Sequence, residues 1–368
     1  MTVSFKNSLI LFLLKILRKI CPKVQHQATS RKELLVVSTT ALGDTLWALP
    51  AIQALKIRFP SAHISVLTSQ IGQEVLSSHP DIDRILVLKK PLFSSLIQNY
   101  LRLRKKHIDS IYIFHTSQRA VLPLCYLLNA KEIVGTPGIN KGLDVLLSKK
   151  INPQYEHEIN RRLRIVGYDT TKPANPPLTF DRRISNKNNG LLFVSKHELD
   201  RKPILIGINP GSKDKFKQWD PECFINLGRL LQKDLDCAIV ITGGPAEQKL
   251  TRYIANGIPG AVPLDEVVSL DTLATLIEKC DLFITNDTGP MHIALGVGTK
   301  TLSLFTPTDP FLCGPWNSPH GQVVQAKITC SPCIKKKCCL PFCMLQISTQ
   351  EVHRRALQML NHSFAEKT

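Results

Sequence analysis

The feature that most constrains the fold is an alternation of short apolar runs with amphipathic helical runs, which occurs twice along the chain. The apolar runs are continuous and β-branched, which is typical of parallel strands buried on both faces. Helical runs between such strands predict βαβ units. The predicted strands are 33–38, 63–68, 84–88, 110–115 and 131–136 in the first half, and 203–209, 237–243, 281–285 and 300–305 in the second.

The segment 170–190, "TTKPANPPLTFDRRISNKNNG", interrupts the alternation with proline, asparagine and charge. This composition is typical of a connection between domains. A chain of 368 residues also suits two domains of about 150 to 200 residues each. We therefore predict an α/β protein with two doubly wound domains facing across a cleft. The expected division is an amphipathic N-terminal segment 1–30, a first domain 31–175, a linker 176–190 and a second domain 191–368.

The loop after the first strand contains a carboxylate in a place where doubly wound sheets bind their ligands, the carboxyl end of a strand. Gly43 permits a tight turn there, and Asp44 follows it. Two interpretations of Asp44 are open. It is either the N-cap of the next helix or a proton acceptor at the mouth of the strand.

The loop after the predicted strand 203–209 reads "PGSKDKFKQW" and combines small residues with positive charge. Gly211 and Ser212 allow a close backbone approach, and Lys213, Lys215 and Lys217 supply cations. The combination suits a diphosphate ligand, although the spacing is not that of a Walker A loop. A solvated lysine-rich turn is the alternative.

The most specific loop is "NDTGPMHIALG", which follows the predicted strand 281–285. Asp287 is predicted to cap a helix whose first position is Pro290. The backbone N–H groups of Thr288, Gly289 and Met291 then remain free to donate hydrogen bonds. The loop therefore predicts an anion site at a helix N-terminus.

Two residues near these loops have two interpretations each. Glu247 follows a Gly-Gly-Pro turn, and it either complements a helix dipole or accepts hydrogen bonds from ribose hydroxyls. His292 lies one turn from the predicted anion site. It either contacts the ligand there or braces the loop.

The opening segment "KNSLILFLLKILRKICPK" has an apolar run, 9–14, far shorter than the roughly 20 residues that span a bilayer. On a helical wheel its cations share one side and its apolar residues the other. Two interpretations are open: a basic helix lying on an anionic membrane surface, or a terminal helix docked on the protein's own core. No small-x-small cleavage site follows, so we expect a cytoplasmic location.

The net charge of +18 predicts attraction to polyanions such as anionic lipids, phosphorylated sugars or nucleic acid. The sequence has neither the spacing of a helix-turn-helix or zinc finger nor a basic groove interleaved with aromatic residues, so we do not expect nucleic acid as a partner. No predicted strand is followed by G-x-G-x-x-G, which disfavours an NAD-dependent enzyme.

A cysteine-rich segment at 330–343, "CSPCIKKKCCLPFC", contains five of the eleven cysteines. Its C-x2-C start has metal-ligand character, and a structural Zn or Fe site is one interpretation. Reduced thiols and disulfides formed on isolation are the others. The candidate metal ligands are Cys330, Cys333, Cys338 and Cys343.

Four segments together resemble glycosyltransferase family 9, the lipopolysaccharide heptosyltransferases. They are "ALGDTLWALPAIQALKIRFP", "INPGSKDKFKQW", "ITGGPAEQ" and "ITNDTGPMHIALGVGTKTLSLFTPTDP", and the similarity extends from about Leu34 onward. The resemblance implies a GT-B architecture of two Rossmann-like domains, with the acceptor on the first and an ADP-activated heptose on the second. It also implies a single inverting displacement that requires no metal.

The resemblance implies a role for residues of each loop. Asp44 matches the family's catalytic base, and Lys217 matches the lysine that meets the donor phosphates. The donor-binding positions that the resemblance matches are Ser212, Glu247, Asp287, Thr288 and Gly289. Gly211, Lys213 and His292 complete the candidate donor-binding set on the chemistry of their loops.

The expected function is therefore transfer of a heptose from ADP-heptose to an anionic lipopolysaccharide core acceptor, at the inner face of the inner membrane. The alternative is a family relative that uses another nucleotide sugar, or a protein or capsule acceptor. A basic binding protein with a degenerate fold is the third hypothesis. It is disfavoured because Asp44 and the loop 286–290 are intact.

Overall fold

A computed structural model of the chain describes residues 5–20, 31–116, 118–171, 175–180, 184–326 and 342–367. The chain divides into two compact units, Met1–Leu178 and Thr179–Thr368. Each unit contains one six-stranded sheet in which every pair of neighbouring strands is parallel. The predicted fold class, two doubly wound α/β units, is confirmed.

The first unit is built from alternating strands and helices. Its strands are β1 (Glu33–Ser38), β2 (His63–Ser69), β3 (Arg84–Leu88), β4 (Ser110–His115), β5 (Glu132–Gly135) and β6 (Lys149–Lys150). Its helices are α1 (Phe5–Ile20), α2 (Leu42–Leu46), α3 (Leu49–Arg58), α4 (Gln70–Leu76), α5 (Leu92–Leu103), α6 (Val121–Leu127) and α7 (Glu158–Ile165).

The second unit repeats this plan. Its strands are β7 (Ile204–Asn209), β8 (Cys237–Ile241), β9 (Val262–Pro263), β10 (Leu282–Asn286), β11 (Thr301–Phe305) and β12 (Gly321–Gln325). Its helices are α8 (Ile184–Lys196), α9 (Pro221–Asp234), α10 (Gln248–Gly257), α11 (Leu270–Lys279), α12 (Gly289–Gly296), α13 (Pro310–Cys313), α14 (Phe342–Leu345) and α15 (Thr349–Lys367).

The strand orders show where, in each sheet, the chain stops adding strands on one side and starts adding them on the other. The first sheet runs β3-β2-β1-β4-β5-β6, and the second runs β12-β11-β10-β7-β8-β9. The strand order therefore reverses between β1 and β4 in the first unit and between β7 and β10 in the second. Loops at the carboxyl ends of these four strands border the crevices where such sheets bind ligands.

All nine predicted strands are present to within two residues, and three more strands were not predicted. Two of these, β6 and β9, contain only two residues, and β12 has only two apolar residues, so none has a clear apolar pattern. The chain between β1 and β2 forms two helices, α2 and α3, and Pro50 falls in the first turn of α3, where its missing N–H is tolerated. Helix α8 begins at Ile184, within the segment 176–190 that we predicted as a linker.

Helix α1 docks on the first unit through one face. Leu14 is buried in the core of that unit. Asn7 donates a 3.1 Å hydrogen bond to the carbonyl of Lys141, and Arg18 donates a 2.6 Å bond to Asn129. The interpretation that the N-terminal helix docks on the protein's own core is therefore confirmed for the face of α1 that contains Leu14. Within the described ranges, no helix combines the length and the apolar character needed to cross a bilayer.

Candidate active site

Asp44 lies in the first turn of α2, directly after the carboxyl end of β1. The N-cap of this helix is Ala41, and no side chain caps it, so the capping interpretation of Asp44 is wrong. Instead, Asp44 Oδ1 accepts from Arg162 Nη2 at 3.4 Å. This distance is long for a charge-assisted hydrogen bond, which is usually about 2.7–2.9 Å. Because the Asp44 side chain is 24% exposed, its carboxylate is accessible to a substrate.

Arg162 comes from α7 and is fully buried, and its closest partner is Glu158 rather than Asp44. Arg162 Nη1 donates to Glu158 Oε2 at 2.6 Å, and Arg161 Nη2 donates to the same oxygen at 2.6 Å. Arg162 also lies over the ring of Trp47, 5.3 Å from its centroid. A buried guanidinium requires such partners, because an unpaired buried charge costs several kcal/mol. The arrangement fixes Arg162 beside Asp44.

Glu158 is held as a carboxylate by this pair of arginines. Burial alone raises its pKa, but the charge of Arg162 and the hydrogen bond and charge of Arg161 outweigh burial and lower the pKa to about 2. Its side chain therefore remains negative far into the acid range. The two arginines are balanced by two carboxylates, those of Glu158 and Asp44.

Replacement of Glu158 by Gln is expected to change how stability depends on pH. Since the pKa is near 4.5 in the unfolded chain and about 2 in the folded one, the unfolded chain binds more protons between these values. The contribution of Glu158 to stability is fully present above about pH 4.5 and is lost as the pH drops towards 2. Glu158→Gln should lose this contribution, and at neutral pH it should be less stable by about 3 to 5 kcal/mol, because Arg161 and Arg162 lose the carboxylate to which both donate.

The measurement is urea unfolding between pH 2 and 7. Glu74→Gln is the matched control, because Glu74 is exposed in the same unit. The control should keep the wild-type pH dependence. Equal slopes for Glu158→Gln and wild type below pH 4.5 would contradict the role given to the pair of arginines.

His115 ends β4, the neighbour of β1, on the same side as Asp44. Burial lowers its pKa, the nearby Asp44 raises it, and Arg162 and Arg161 lower it further, with a net lowering. The imidazole is therefore neutral at pH 7. Its Nδ1 atom is buried without a hydrogen-bond partner among the residues that the structure describes.

Sequence reasoning missed His115, Glu158, Arg161 and Arg162. His115 stands at a strand end, so the rule that selected the other loops could have found it. The other three lie on α7, and Arg162 is 118 residues from Asp44 in sequence. No local pattern links positions so far apart.

In the second unit, Asn286 at the end of β10 connects the two loops that border the reversal point. It donates a 2.7 Å hydrogen bond to the carbonyl of Pro210 and accepts one of 3.2 Å from the backbone N–H of Trp219. Trp219 is itself buried and donates through Nε1 to the carbonyl of Ile347 at 2.9 Å. Lys217, two residues before Trp219, is therefore held close to the end of β10.

Lys217 Nζ donates to Asp287 Oδ2 at 2.6 Å, and the hydroxyl of Thr308 donates to the same oxygen. Both members of the ion pair are largely shielded from solvent. Lys213 and Lys215 of the same loop are exposed. Of the three lysines, only Lys217 is therefore oriented towards the loop at the end of β10.

The prediction that Asp287 caps the following helix is wrong. The N-cap of α12 is Thr288, no side chain caps it, and the helix begins at Gly289. The Asp287 carboxylate pairs with Lys217 instead. Met291 was predicted to have a free N–H, but that group donates to the carbonyl of Thr288 at 3.1 Å. Among the described residues, no acceptor is bonded to the N–H groups of Thr288 and Gly289.

Gly211 and Glu247 lie against each other where the loops after β7 and β8 meet. A Cβ atom on Gly211 would lie 2.1 Å from the Glu247 carboxyl group, so any side chain at this position would displace that carboxylate. Glu247 Oε2 accepts from the N–H of Gly244 at 2.8 Å. Ser212 and His292 are both buried, in the loop after β7 and in α12 respectively. The donor-binding residues predicted from sequence thus come from adjacent loops of one unit.

The predicted metal ligands Cys330, Cys333 and Cys338, together with Cys339, lie outside the described residues. The fourth candidate, Cys343, is partly buried and has a free thiol. Within the ranges that the structure describes, no three His, Cys, Asp or Glu side chains cluster as metal ligands would. The Zn or Fe site stays a prediction.

The fold and site define the class of protein. Each unit has a parallel sheet. One sheet has a carboxylate at the point where its strand order reverses, and the other has a loop rich in cations and N–H groups at the corresponding point. This combination is typical of GT-B glycosyltransferases. The family model of glycosyltransferase family 9 (heptosyltransferase) matches residues 128–343, and the chain belongs to this family. It is a glycosyltransferase, and the resemblance seen in the sequence is confirmed.

Known proteins similar to the chain support this assignment. Lipooligosaccharide heptosyltransferase 2 of Campylobacter jejuni is 25% identical over 334 residues, which cover 88% of this chain and 97% of that protein. A glycosyltransferase family 9 structure from Veillonella parvula has a TM-score of 0.80 at 22% identity, with coverage of 92% and 100%. The structure of Escherichia coli ADP-heptose LPS heptosyltransferase II has a TM-score of 0.73 at 18% identity, with coverage of 90% and 99%.

Proposed function

We propose that this enzyme transfers a heptose from an ADP-activated donor to an anionic lipopolysaccharide core acceptor, with inversion at the anomeric carbon. The observation that carries the proposal is the Lys217–Asp287 pair beside the two N–H groups at the start of α12. Positive charge and unfilled donors at one point suit the diphosphate of a nucleotide sugar. The names of similar proteins, a lipooligosaccharide heptosyltransferase and an ADP-heptose LPS heptosyltransferase, support the choice of sugar.

In the proposed mechanism, Asp44 is the general base. It takes the proton of an acceptor hydroxyl, whose oxygen attacks the anomeric carbon of the donor while the bond to the diphosphate oxygen breaks. Arg162 positions Asp44 through the 3.4 Å contact. His115, a neutral imidazole at the end of β4, lies beside Asp44 and contributes to the proposed acceptor site.

The charge that develops on the departing ADP is stabilised by donors of the second unit. Lys217 exchanges its partner Asp287 for the diphosphate, and the N–H groups of Thr288 and Gly289 donate to it. Glu247 accepts from the ribose, and Gly211, which has no side chain, leaves room for the Glu247 carboxylate beside it. Ser212, Lys213 and His292 complete the proposed donor-binding set.

The proposed acceptor is part of a membrane glycolipid, and α1 is the proposed contact with that membrane. The face of α1 opposite its docked side exposes seven large apolar side chains. The first 32 residues contain seven Lys or Arg and no Asp or Glu. A helix with these two properties binds the surface of an anionic bilayer. The seven are Phe5, Leu9, Phe12, Leu13, Ile16, Leu17 and Ile20.

A donor screen tests the proposal. The purified chain is incubated with ADP-heptose, GDP-sugars or UDP-sugars and with defined lipid A core acceptors, and the products are followed by mass spectrometry. Turnover is expected only with ADP-heptose. Turnover with another nucleotide sugar, or with a capsule or protein acceptor, would replace this proposal by the alternative within the family. A folded protein that is inactive with every heptose donor would end it.

A further inference from the structure

Helix α5 exposes a stripe of apolar residues on its outer face. Phe93, Ile97 and Leu101 are spaced four residues apart, so they align along one side of the helix. Their exposed fractions are 76%, 44% and 46%. The opposite side of α5 packs into the core of the first unit through Leu96 and Leu103. The core contacts of α5 are therefore made without the stripe, which leaves apolar area exposed for a partner to bury.

The charged residues of the segment that carries the stripe are all basic. Residues 84–108 contain seven Lys or Arg and no Asp or Glu. Three of these cations, Arg84, Arg102 and Lys105, line a groove of about 520 Å³ together with Leu101. No described carboxylate forms an ion pair with any of the three. The groove is therefore a site for anions placed next to an apolar surface.

Helices α5 and α1 lie on the same side of the first sheet. Leu96 of α5 and Leu14 of α1 belong to one core cluster, which also contains Leu35 and Val37 of β1. Both helices contact α6, which belongs to the same layer. Helices that pack on one face of a sheet direct their outer surfaces to the same side. The apolar stripe of α5 and the exposed face of α1 therefore belong to the same helical layer of the first unit.

We infer that α5 and its groove form a second membrane-binding element, which binds an anionic phospholipid bilayer alongside α1. Arg84, Arg102 and Lys105 bind headgroup phosphates, while Phe93 and Leu101 enter the boundary between headgroups and acyl chains. The inference goes beyond the proposed function, because it rests on no residue of the active site.

The same face suits a second copy of this chain less well. A two-fold interface would bring one uniformly basic surface against an identical one, and like charges facing each other cost several kcal/mol. Lysine is also depleted in the centres of protein interfaces. An anionic bilayer complements both the charge and the apolar stripe.

Cosedimentation of the full chain with vesicles tests the inference. The vesicles are phosphatidylcholine with or without phosphatidylglycerol. Arg102→Gln/Lys105→Gln is expected to weaken binding to the anionic vesicles roughly 25-fold, because each basic side chain at such a surface contributes about fivefold. Phe93→Ser/Leu101→Ser is expected to weaken it by about tenfold or more, through loss of buried apolar area. All four positions are exposed, so folding should persist.

Matched controls lie in the second unit. Lys249→Gln/Lys279→Gln removes the same charge from exposed positions, and Leu192→Ser removes an exposed apolar side chain. These controls should bind vesicles as wild type does, and every variant should keep wild-type turnover on a water-soluble acceptor fragment. Wild-type vesicle binding by both α5 variants would overturn the inference. So would binding that does not depend on phosphatidylglycerol, or a dimer in solution that Phe93→Ser dissociates.

Discussion

Replacement of Asp44 by Asn is expected to abolish turnover while ADP affinity stays nearly unchanged. Asn has the size of Asp and can still accept a hydrogen bond from Arg162, but it cannot take the proton of an acceptor hydroxyl. Loss of a general base typically costs about 10² to 10⁴ in rate. Nucleotide binding is assigned to loops of the second unit, so the change should leave it intact. Steady-state turnover and calorimetric titration with ADP measure the two effects separately.

Asp81→Asn is the matched control for this change, because Asp81 is a partly exposed carboxylate of the same unit outside the site. It should leave turnover unchanged. Activity of Asp44→Asn within tenfold of wild type would show that another group takes the proton. Loss of ADP binding along with turnover would instead indicate that Asp44 supports the structure as a whole.

The sequence predicted the two sheets well because their strands are buried on both faces. Such strands need a continuous apolar run, and a run of this kind is visible without knowing what packs on it. All five residues at 34–38 and all six of β7 are buried. The strands that escaped prediction have no apolar pattern to reveal them: β6 consists of two exposed lysines, and β12 has only two apolar residues.

The candidate site was predictable only in part, because strand ends show where a ligand binds but not how side chains pair. Asp44 lies in the first turn of α2, and Asp287 lies just before α12. In each case the local pattern suggested a helix cap. Both carboxylates are instead paired with a distant cation, Arg162 and Lys217 respectively. Lys217 is 70 residues from Asp287. Such pairs are created by the fold and leave no local signal.

Replacement of Lys217 by Met is the second change with a large expected effect. It removes the cation proposed to stabilise the departing diphosphate, and the loss of one such group typically costs about 10² to 10³ in turnover. It also leaves Asp287 largely buried and without its ion pair, a negative charge that repels the diphosphate. ADP affinity should therefore fall as well, by about tenfold or more, as titration calorimetry would show.

The double variant Lys217→Met/Asp287→Asn separates these two causes. With the carboxylate neutralised, repulsion of the diphosphate disappears and ADP affinity should largely recover, but turnover should not, because the cation is still missing. Lys215→Met is the matched control: the same change in the same loop, at an exposed lysine that does not pair with Asp287. If Lys215→Met impaired turnover as much as Lys217→Met, general positive charge of the loop would account for the effect. Recovery of turnover in the double variant would show that Lys217 serves only to neutralise Asp287.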